Sequence, residues 1–454
     1  MPPELQWYFE RAVAKYRCPQ DEECLPQLDT PICIPVAAVT PTAAESEPDS
    51  LGFVKVKASA PIPSSVQHNK CFVLMKKLVG RTGGPAQTYL ATHSTEIHKQ
   101  HEFGNYLVLR AYSKKDESSL TTFRRELAVF TRLSVSAKED CSARDCIVGL
   151  DAAFVNAAKQ SWYFAMPLLR CNLAHVLTRE RADVTDTVRH ELSKSWITQL
   201  ATGLDHLHNR GIIHSNLKPS NILLDWDGCV KISDFSCVYI HPADEPLKGH
   251  PVQYADKFCG SLPYMAPEQR GVLGLPSVRG SDEQGKGSKS MLMKKGFGKE
   301  VDVWALGCVA AELCRDDHYK LVFESDADFE KFTKSSENDR REYLHQYAIP
   351  THFQVEFILQ LLEPNVSKRL KISDFKNTQY YKMNKNLTFS DYGKKKLRVE
   401  DIPDFILEFD LSKESISKSS DVLVNVNLED KHNDNLLGGE EVFPWIPPES
   451  RWFI

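Results

Sequence analysis

No charge of one sign dominates this chain of 454 residues: 56 lysines and arginines stand against 61 aspartates and glutamates, for a formal net charge of -5. That balance argues against a global basic face for nucleic acid or acidic lipid. Long apolar runs are also missing. The best, VWALGCVAAELC at Val303–Cys314, is too short to span a bilayer. The 12 cysteines include no C-x-x-C pair. The closest, Cys141/Cys146 and Cys308/Cys314, are spaced otherwise, and no paired-histidine motif accompanies them. A zinc site or a disulfide framework is therefore not expected, and free thiols in a reducing compartment are. The opening MPPELQWYFERAVAKYR lacks a basic n-region ahead of an apolar h-region, so no secretory signal is read there. Its Glu4–Arg17 stretch has instead the spacing of a short amphipathic helix. No internal repeat is found. Together these absences lead to the expectation of a soluble cytoplasmic or nuclear protein with no membrane span and no nucleic-acid partner.

What is present is core material. Hydrophobic residues make up 42%, enough for a large buried interior. Residues 1–69 are poor in it: Cys18–Ser65 mixes Pro, Ala, Ser, Thr and acidic residues and reads as a flexible leader. From about Lys70 the pattern changes. CFVLMKKLVG, QTYLATH, NYLVLRAY and WYFAMPLL are strand candidates, the last stopping at Pro167. FRRELAVFTRL, with Phe123, Leu127, Phe130 and Leu133, has helical spacing. Beyond Pro167 the pattern is mainly helical, as in SWITQLATGLDHLHNRG, which closes at Gly211 as a helix C-cap would. The expected architecture is α+β: a β-rich unit over 70–168 and a larger α-rich unit over 169–385, with a crevice between them. An insertion at 271–298 (Lys286, Lys289, Lys294, Lys295) reads as a solvated basic loop. Residues 386–454 read as a partly disordered tail, whose terminal Phe443, Trp445, Trp452 and Phe453 are expected to pack back on a folded unit.

Several segments carry chemistry-bearing residues. HSNLKPSNILL (His214–Leu224) places Asn216, Lys218 and Asn221 in a loop ahead of an apolar strand. VKISDFSCVYI (Val230–Ile240) places Asp234 after another strand. LVLRAYSK (Leu107–Lys114) carries Arg110, and the FRRELAVF helix carries Glu126, a cation and an anion able to pair. LVGRTGGPAQTYLA (Leu78–Ala91) is a glycine-rich turn. FCGSLPYMAPE, DVWALG and EPNVSKRL follow downstream. Along the chain from Cys71 to about Tyr381, these segments resemble in order the glycine loop, V-A-I-K strand, helix glutamate, catalytic loop, D-F-G and A-P-E motifs of serine/threonine protein kinases.

That resemblance implies a bilobal protein-kinase-like fold, with a small β-rich N-lobe and a larger α-helical C-lobe. It implies Asn221 and Asp234 as magnesium ligands. Gly80, Gly83, Gly84, Arg110, Glu126, Met166 and Leu168 would lie around ATP, and Lys218 on the transferring phosphate. It also exposes departures. Asn216 replaces the base aspartate, and a neutral amide cannot take a proton; loss of such a base typically costs about 10²–10⁴-fold in rate. Ser215 replaces the arginine that pairs with activation-loop phosphate in many members. Arg110 replaces the strand lysine, Val108 an alanine over the adenine, Ala86 the third glycine and Ser236 the glycine of D-F-G. Pro85 removes one donor from the glycine loop. Architectural residues (His214, Phe235, Ala266–Glu268, Asp302, Arg369) are kept while chemical ones change. The expectation is a pseudokinase acting as scaffold or regulator on a protein partner, such as an active kinase, with ATP and magnesium as its ligands. An unconventional active kinase with a protein substrate is the alternative.

Overall fold

The computed structural model describes residues 71–78, 86–93, 106–113, 116–134, 141–156, 161–178, 186–225, 227–256, 259–272, 296–316, 319–383, 388–394 and 423–425. Expectations for the leader, the Glu4–Arg17 helix, Gly80, Gly83, Gly84, residues 273–295 of the insertion and the terminal aromatics lie outside the described residues. Two compact units result. One takes in the described residues up to 134 with 148–170 and 423–425, the other 141–147 and 171–394.

The first unit is built on a sheet in which β1 (Cys71–Leu78), β2 (Ala86–His93), β3 (Tyr106–Ser113), β5 (Ser161–Pro167) and β4 (Ala152–Asn156) lie side by side in that order, all antiparallel. Residues Leu423–Asn425 add a short strand to the free edge of β1. Helix α1 (Glu117–Ser134) packs on β3. Its start is set by Asp116, whose carboxylate accepts the backbone N–H groups of Ser118 and Ser119 and so satisfies donors a helix N-terminus leaves open. The Ser118 and Ser119 bonds also hold that carboxyl below its usual range. The helix turns Phe123, Glu126, Val129, Phe130 and Leu133 inward. Phe123 stacks on Phe164 of β5 at 4.4 Å, and Tyr112 of β3 meets both rings edge-on. Strand alternation puts Val108, Arg110 and Tyr112 on one face, opposite Met166, Phe164 and Trp162 of β5.

The second unit is mainly helical: α2 (Cys141–Arg144), β6 (Cys171–Asn172), α3 (Leu173–Thr178), α4 (Asp186–Asn209), β7 (Ile212–Ile213), β8 (Ile222–Leu224), β9 (Val230–Ile232), β10 (Tyr239–Ile240), α5 (Pro267–Val272), α6 (Glu300–Cys314), α7 (Asp326–Lys334), α8 (Glu337–Gln346), α9 (His352–Leu361), α10 (Gln379–Lys382) and α11 (Phe389–Lys394). Gly211, at φ 72°, stops α4 in the left-handed conformation that glycine adopts without strain. The apolar run Val303–Cys314 is the central helix, buried from Val301 to Cys314. Trp304 on it meets Phe323, Phe329 and Phe332. Among the described residues no helix is long and apolar enough to cross a membrane. Helices α7, α8 and α9 each open on a reciprocal capping box, from Ser325, Ser336 and Thr351.

Candidate functional site

Asp302, in the first turn of α6, organises the loop that follows β7. It is fully buried. Its Oδ1 accepts the Ser215 N–H, and its Oδ2 accepts the His214 N–H and lies against His208 Nε2, all at 2.8 Å. His214 is fixed in turn. Its Nδ1 faces the Asn216 N–H at 3.3 Å and its Nε2 faces the Ser233 carbonyl at 3.0 Å, which selects the Nε2–H tautomer. Its ring meets Phe235 edge-on at 5.8 Å. The N–H and Oγ of Ser233 both donate to the Asn221 carbonyl. The loop bearing Asn216, Lys218 and Asn221 is thereby tied to the turn bearing Asp234.

Two side chains meet one hydroxyl here. Lys218 Nζ donates to Ser261 Oγ at 2.7 Å, and that hydroxyl donates to Asn216 Oδ1 at 3.2 Å. Asn221 Nδ2 donates to the Asn216 carbonyl at 2.9 Å, which orients the Asn221 amide and leaves its Oδ1 as the hard-ligand atom. Asp234 sits at φ 64°, ψ 78°, ahead of a tight turn over Phe235–Cys237. The left-handed residue is thus Asp234, a type that tolerates it. Ser236 has no positive φ, so this conformation does not require a glycine there.

Ser215 occupies a left-handed position as well, at φ 62°. It is buried, and its Oγ has no hydrogen-bond partner. Its carbonyl accepts from Gln269 Nε2 at 3.0 Å, and the same amide donates to the Cys259 carbonyl at 2.9 Å. Gly260, at φ 125°, lets the chain pass: a Cβ there would lie 2.7 Å from the Ser215 carbonyl oxygen.

In the first unit, Arg110 Nη1 donates to Glu126 Oε2 and Tyr112 Oη to Glu126 Oε1, both at 2.9 Å. Glu126 is fully buried, so both carboxylate oxygens are engaged. The expected pair forms, with a tyrosine as third member. Val108 lies half-buried across from Met166 in the β3–β5 ladder, and Leu168 is buried just past Pro167.

The segment ending in Ala266–Glu268 is held by Arg369. Its guanidinium makes a forked pair with Glu268, at 2.6 and 3.0 Å, and also donates to the carbonyls of Glu363 and Glu300. Arg270, buried on the Phe329 ring, bonds Asp326 and the Leu262 carbonyl.

One expectation is corrected. A disulfide joins Cys237 to Cys259, with Cα atoms 5.4 Å apart. Its members are 22 residues apart in sequence, a separation that no short spacing pattern reveals. Cys146, Cys171, Cys229, Cys308 and Cys314 are not disulfide-bonded, as anticipated. Burial pushes Cys146 up to about 12 and Cys308 well above its ordinary value, which makes both poor nucleophiles. Ser261, Tyr112 and Gln269 were also not singled out from sequence. Only Tyr112 left a signal, since residues two apart on a strand share a face. Among the described residues no three His, Cys, Asp or Glu side chains converge as a metal site.

A family profile described as "Protein kinase domain" matches residues 98–381. The chain is 26% identical over 233 residues to CBL-interacting protein kinase 28 of Oryza sativa subsp. japonica, covering 50% of this chain and 44% of that protein. It is 33% identical over 176 residues to Ribosomal protein S6 kinase alpha-1 of Homo sapiens, covering 37% of this chain and 22% of that protein. It is 32% identical over 172 residues to Cyclin-dependent kinase E-1 of Arabidopsis thaliana, covering 37% of this chain and 31% of that protein. The match spans less than half the length of each of these relatives. With a profile covering most of the chain, serine/threonine kinase relatives, and a β-rich unit followed by a helical one, the chain belongs to the protein kinase domain family.

Proposed function

We propose that this protein is a pseudokinase: a kinase-fold scaffold or regulator that binds Mg-ATP with phosphoryl transfer lost or slow. The observation that carries this reading is the position of Asn216. It stands where the family has its base aspartate, and its Oδ1 accepts from the Ser261 hydroxyl while Lys218 donates to the same hydroxyl. The local scaffold is intact without a proton acceptor at its centre, since an amide neither takes a proton nor holds an acceptor hydroxyl by a charged bond.

The residues present fit a magnesium nucleotide. Asn221 directs its amide nitrogen to the Asn216 carbonyl, which leaves its Oδ1 for the cation, and Asp234 supplies a carboxylate. Two oxygen donors with further positions filled by phosphate and water are a usual magnesium set. When bound, the cation would neutralise charge on the nucleotide phosphates. Arg110, paired with Glu126, stands where the family has its strand lysine. A protein partner, such as an active kinase, is the proposed target of the regulation.

A second reading is favoured by that same Arg110–Glu126 pair together with the retained Asn221 and Asp234. Phosphoryl transfer passes through a largely dissociative transition state and depends chiefly on positioning, so an unconventional kinase could run slowly on a protein hydroxyl. A thermal-shift titration with ATP, with and without Mg²⁺, followed by radiolabelled phosphate transfer separates the two. Turnover at ordinary kinase rates that is abolished by Asp234→Ala would remove the pseudokinase reading. No response to nucleotide removes both the active-kinase reading and the proposed ATP role.

A further inference from the structure

The Cys237–Cys259 bridge joins two places that the site depends on. Cys237 ends the tight turn that opens on Asp234. Cys259 stands two residues before Ser261, the hydroxyl shared by Asn216 and Lys218. Among the described residues the segment between them is held by side-chain ties as well as backbone bonds: Arg210 pairs with Asp244, the His250 N–H donates to Glu300, Lys299 donates to the Leu247 carbonyl, and Tyr254 packs on Tyr239 and His241. Tyr239 and Ile240 pair with Ile213 and Ile212, the Leu247 N–H bonds the His208 carbonyl, and Ala255 bridges Phe297. At the Cys259 end, among the described residues, the chain is tied by the Gln269 amide and the disulfide. Nearby Ser215 is a small neutral side chain whose Oγ has no partner, so that position offers no cation to hold the segment by charge. Both bridge cysteines are half-buried, within reach of a small thiol, unlike the buried Cys146, Cys308 and Cys314.

We propose that Cys237 and Cys259 form a thiol–disulfide switch that sets the order of residues 238–256 and the placement of Ser261 against Asn216 and Lys218. This goes beyond the reading of the site as a pseudokinase and does not depend on whether phosphate is transferred. Opening needs a dithiol reductant. Its thiolate attacks one bridge sulfur; the protein S–S bond breaks, a mixed disulfide forms, and the other cysteine leaves as a thiolate that takes up a proton. The reductant's second thiol loses its proton and closes on the mixed disulfide, so the last cysteine leaves as a thiol and the reductant carries away the oxidation as a cyclic disulfide. Closing uses a peroxide. One cysteine thiolate becomes a sulfenic acid with release of hydroxide, and the second thiol condenses with it, expelling water.

The test uses the full chain, treated with hydrogen peroxide or with dithiothreitol. Differential alkylation and mass spectrometry should recover a peptide pair linked through Cys237 and Cys259 after peroxide, and both cysteines alkylated after dithiothreitol. Tryptic cleavage after the exposed Lys248, read on reducing gels, should run about tenfold faster in the reduced protein. Cys237→Ser and Cys259→Ser should each cleave at the fast rate under both treatments. Hydrogen exchange of 238–256 in the wild-type protein gives the same reading without any variant. Failure to recover the linked pair after peroxide overturns the proposal, and so does equal cleavage and exchange in the two redox states.

Discussion

Asn216 and Arg110 carry most of the chemical departure, and they make separate demands. Asn216→Asp returns a carboxylate to the loop, facing a hydroxyl and, through it, the Lys218 ammonium. A base is worth about 10²–10⁴-fold when everything else is in place. Here Arg110 and Val108 still differ from what the family uses to seat the nucleotide, so the single reversion should raise radiolabelled transfer by no more than about tenfold, well short of the full base effect. Ordinary kinase rates in that variant would show that the strand substitutions matter little. Arg110 has a structural role as well. Glu126 is buried, and its two oxygens are divided between Arg110 and Tyr112. Arg110→Ala leaves a buried carboxylate with the tyrosine hydroxyl in place of a charged partner. Breaking a buried pair costs about 3–5 kcal/mol, and the partial exposure of Arg110 together with the surviving tyrosine bond reduces that to roughly 2 kcal/mol. Urea unfolding should show that loss, while Arg110→Lys, able to keep the pair, should lose less than about 1 kcal/mol.

At the scale of elements, the loop after β7 holds its shape because the first turn of α6 reaches under it. Asp302 is the link: two backbone donors and the His208 ring converge on one buried carboxylate. Asp302→Ala strands three buried polar groups. Each unsatisfied group costs about 1–3 kcal/mol, so chemical denaturation should register a loss of at least about 3 kcal/mol, with the left-handed Ser215 released. Asp302, Glu268 and Arg369 were all legible in the sequence because each sits in a short contiguous motif whose neighbours fix its place. The strands and α1 were legible for a similar reason, since alternation and helical spacing are local signals. What joins distant segments was not legible. Ser261 lies 45 residues from Asn216, in a loop whose course depends on Gly260 passing close to the Ser215 carbonyl, and no local pattern encodes that approach. The disulfide was misread for the same reason: a search for closely spaced cysteines cannot find a pair brought together by a long return of the chain. In the chain-entropy account, closing a loop of 22 residues contributes about 3 kcal/mol, so its omission left out a sizeable constraint on this segment.

Over the larger unit as a whole, α10 and α11 are fastened to α4 by the Thr198–Tyr381 and Ser195–Tyr392 hydrogen bonds and by one buried ammonium. Lys194 Nζ lies 4.9 Å from the Tyr380 ring, 5.3 Å from Tyr381 and 4.6 Å from Tyr392, which joins α4 to α10 and α11. Burial pushes Lys194 down to about 8, against the opposing pull of Glu191. The ring faces favour the charged form too, so they limit how far the proton is loosened. The consequence for stability follows from proton counting. Between about pH 8 and the unfolded value near 10.5, the folded state has released a proton that the unfolded chain still holds, so unfolding free energy rises with pH in that window. Below pH 8 both states are charged and the desolvation cost is borne in full. Tyr380 and Tyr381 act in the opposite sense: burial raises both, so above pH 10 the unfolded chain loses protons that the folded state keeps, and stability falls. Urea denaturation at pH 7.5 and pH 9.5 should therefore show the wild-type protein gaining roughly 1–2 kcal/mol relative to Lys194→Met, which has no proton to release at that position. A parallel pH response in the two proteins would mean that the three rings hold the ammonium's proton against burial, with the aromatic contact outweighing desolvation at this junction.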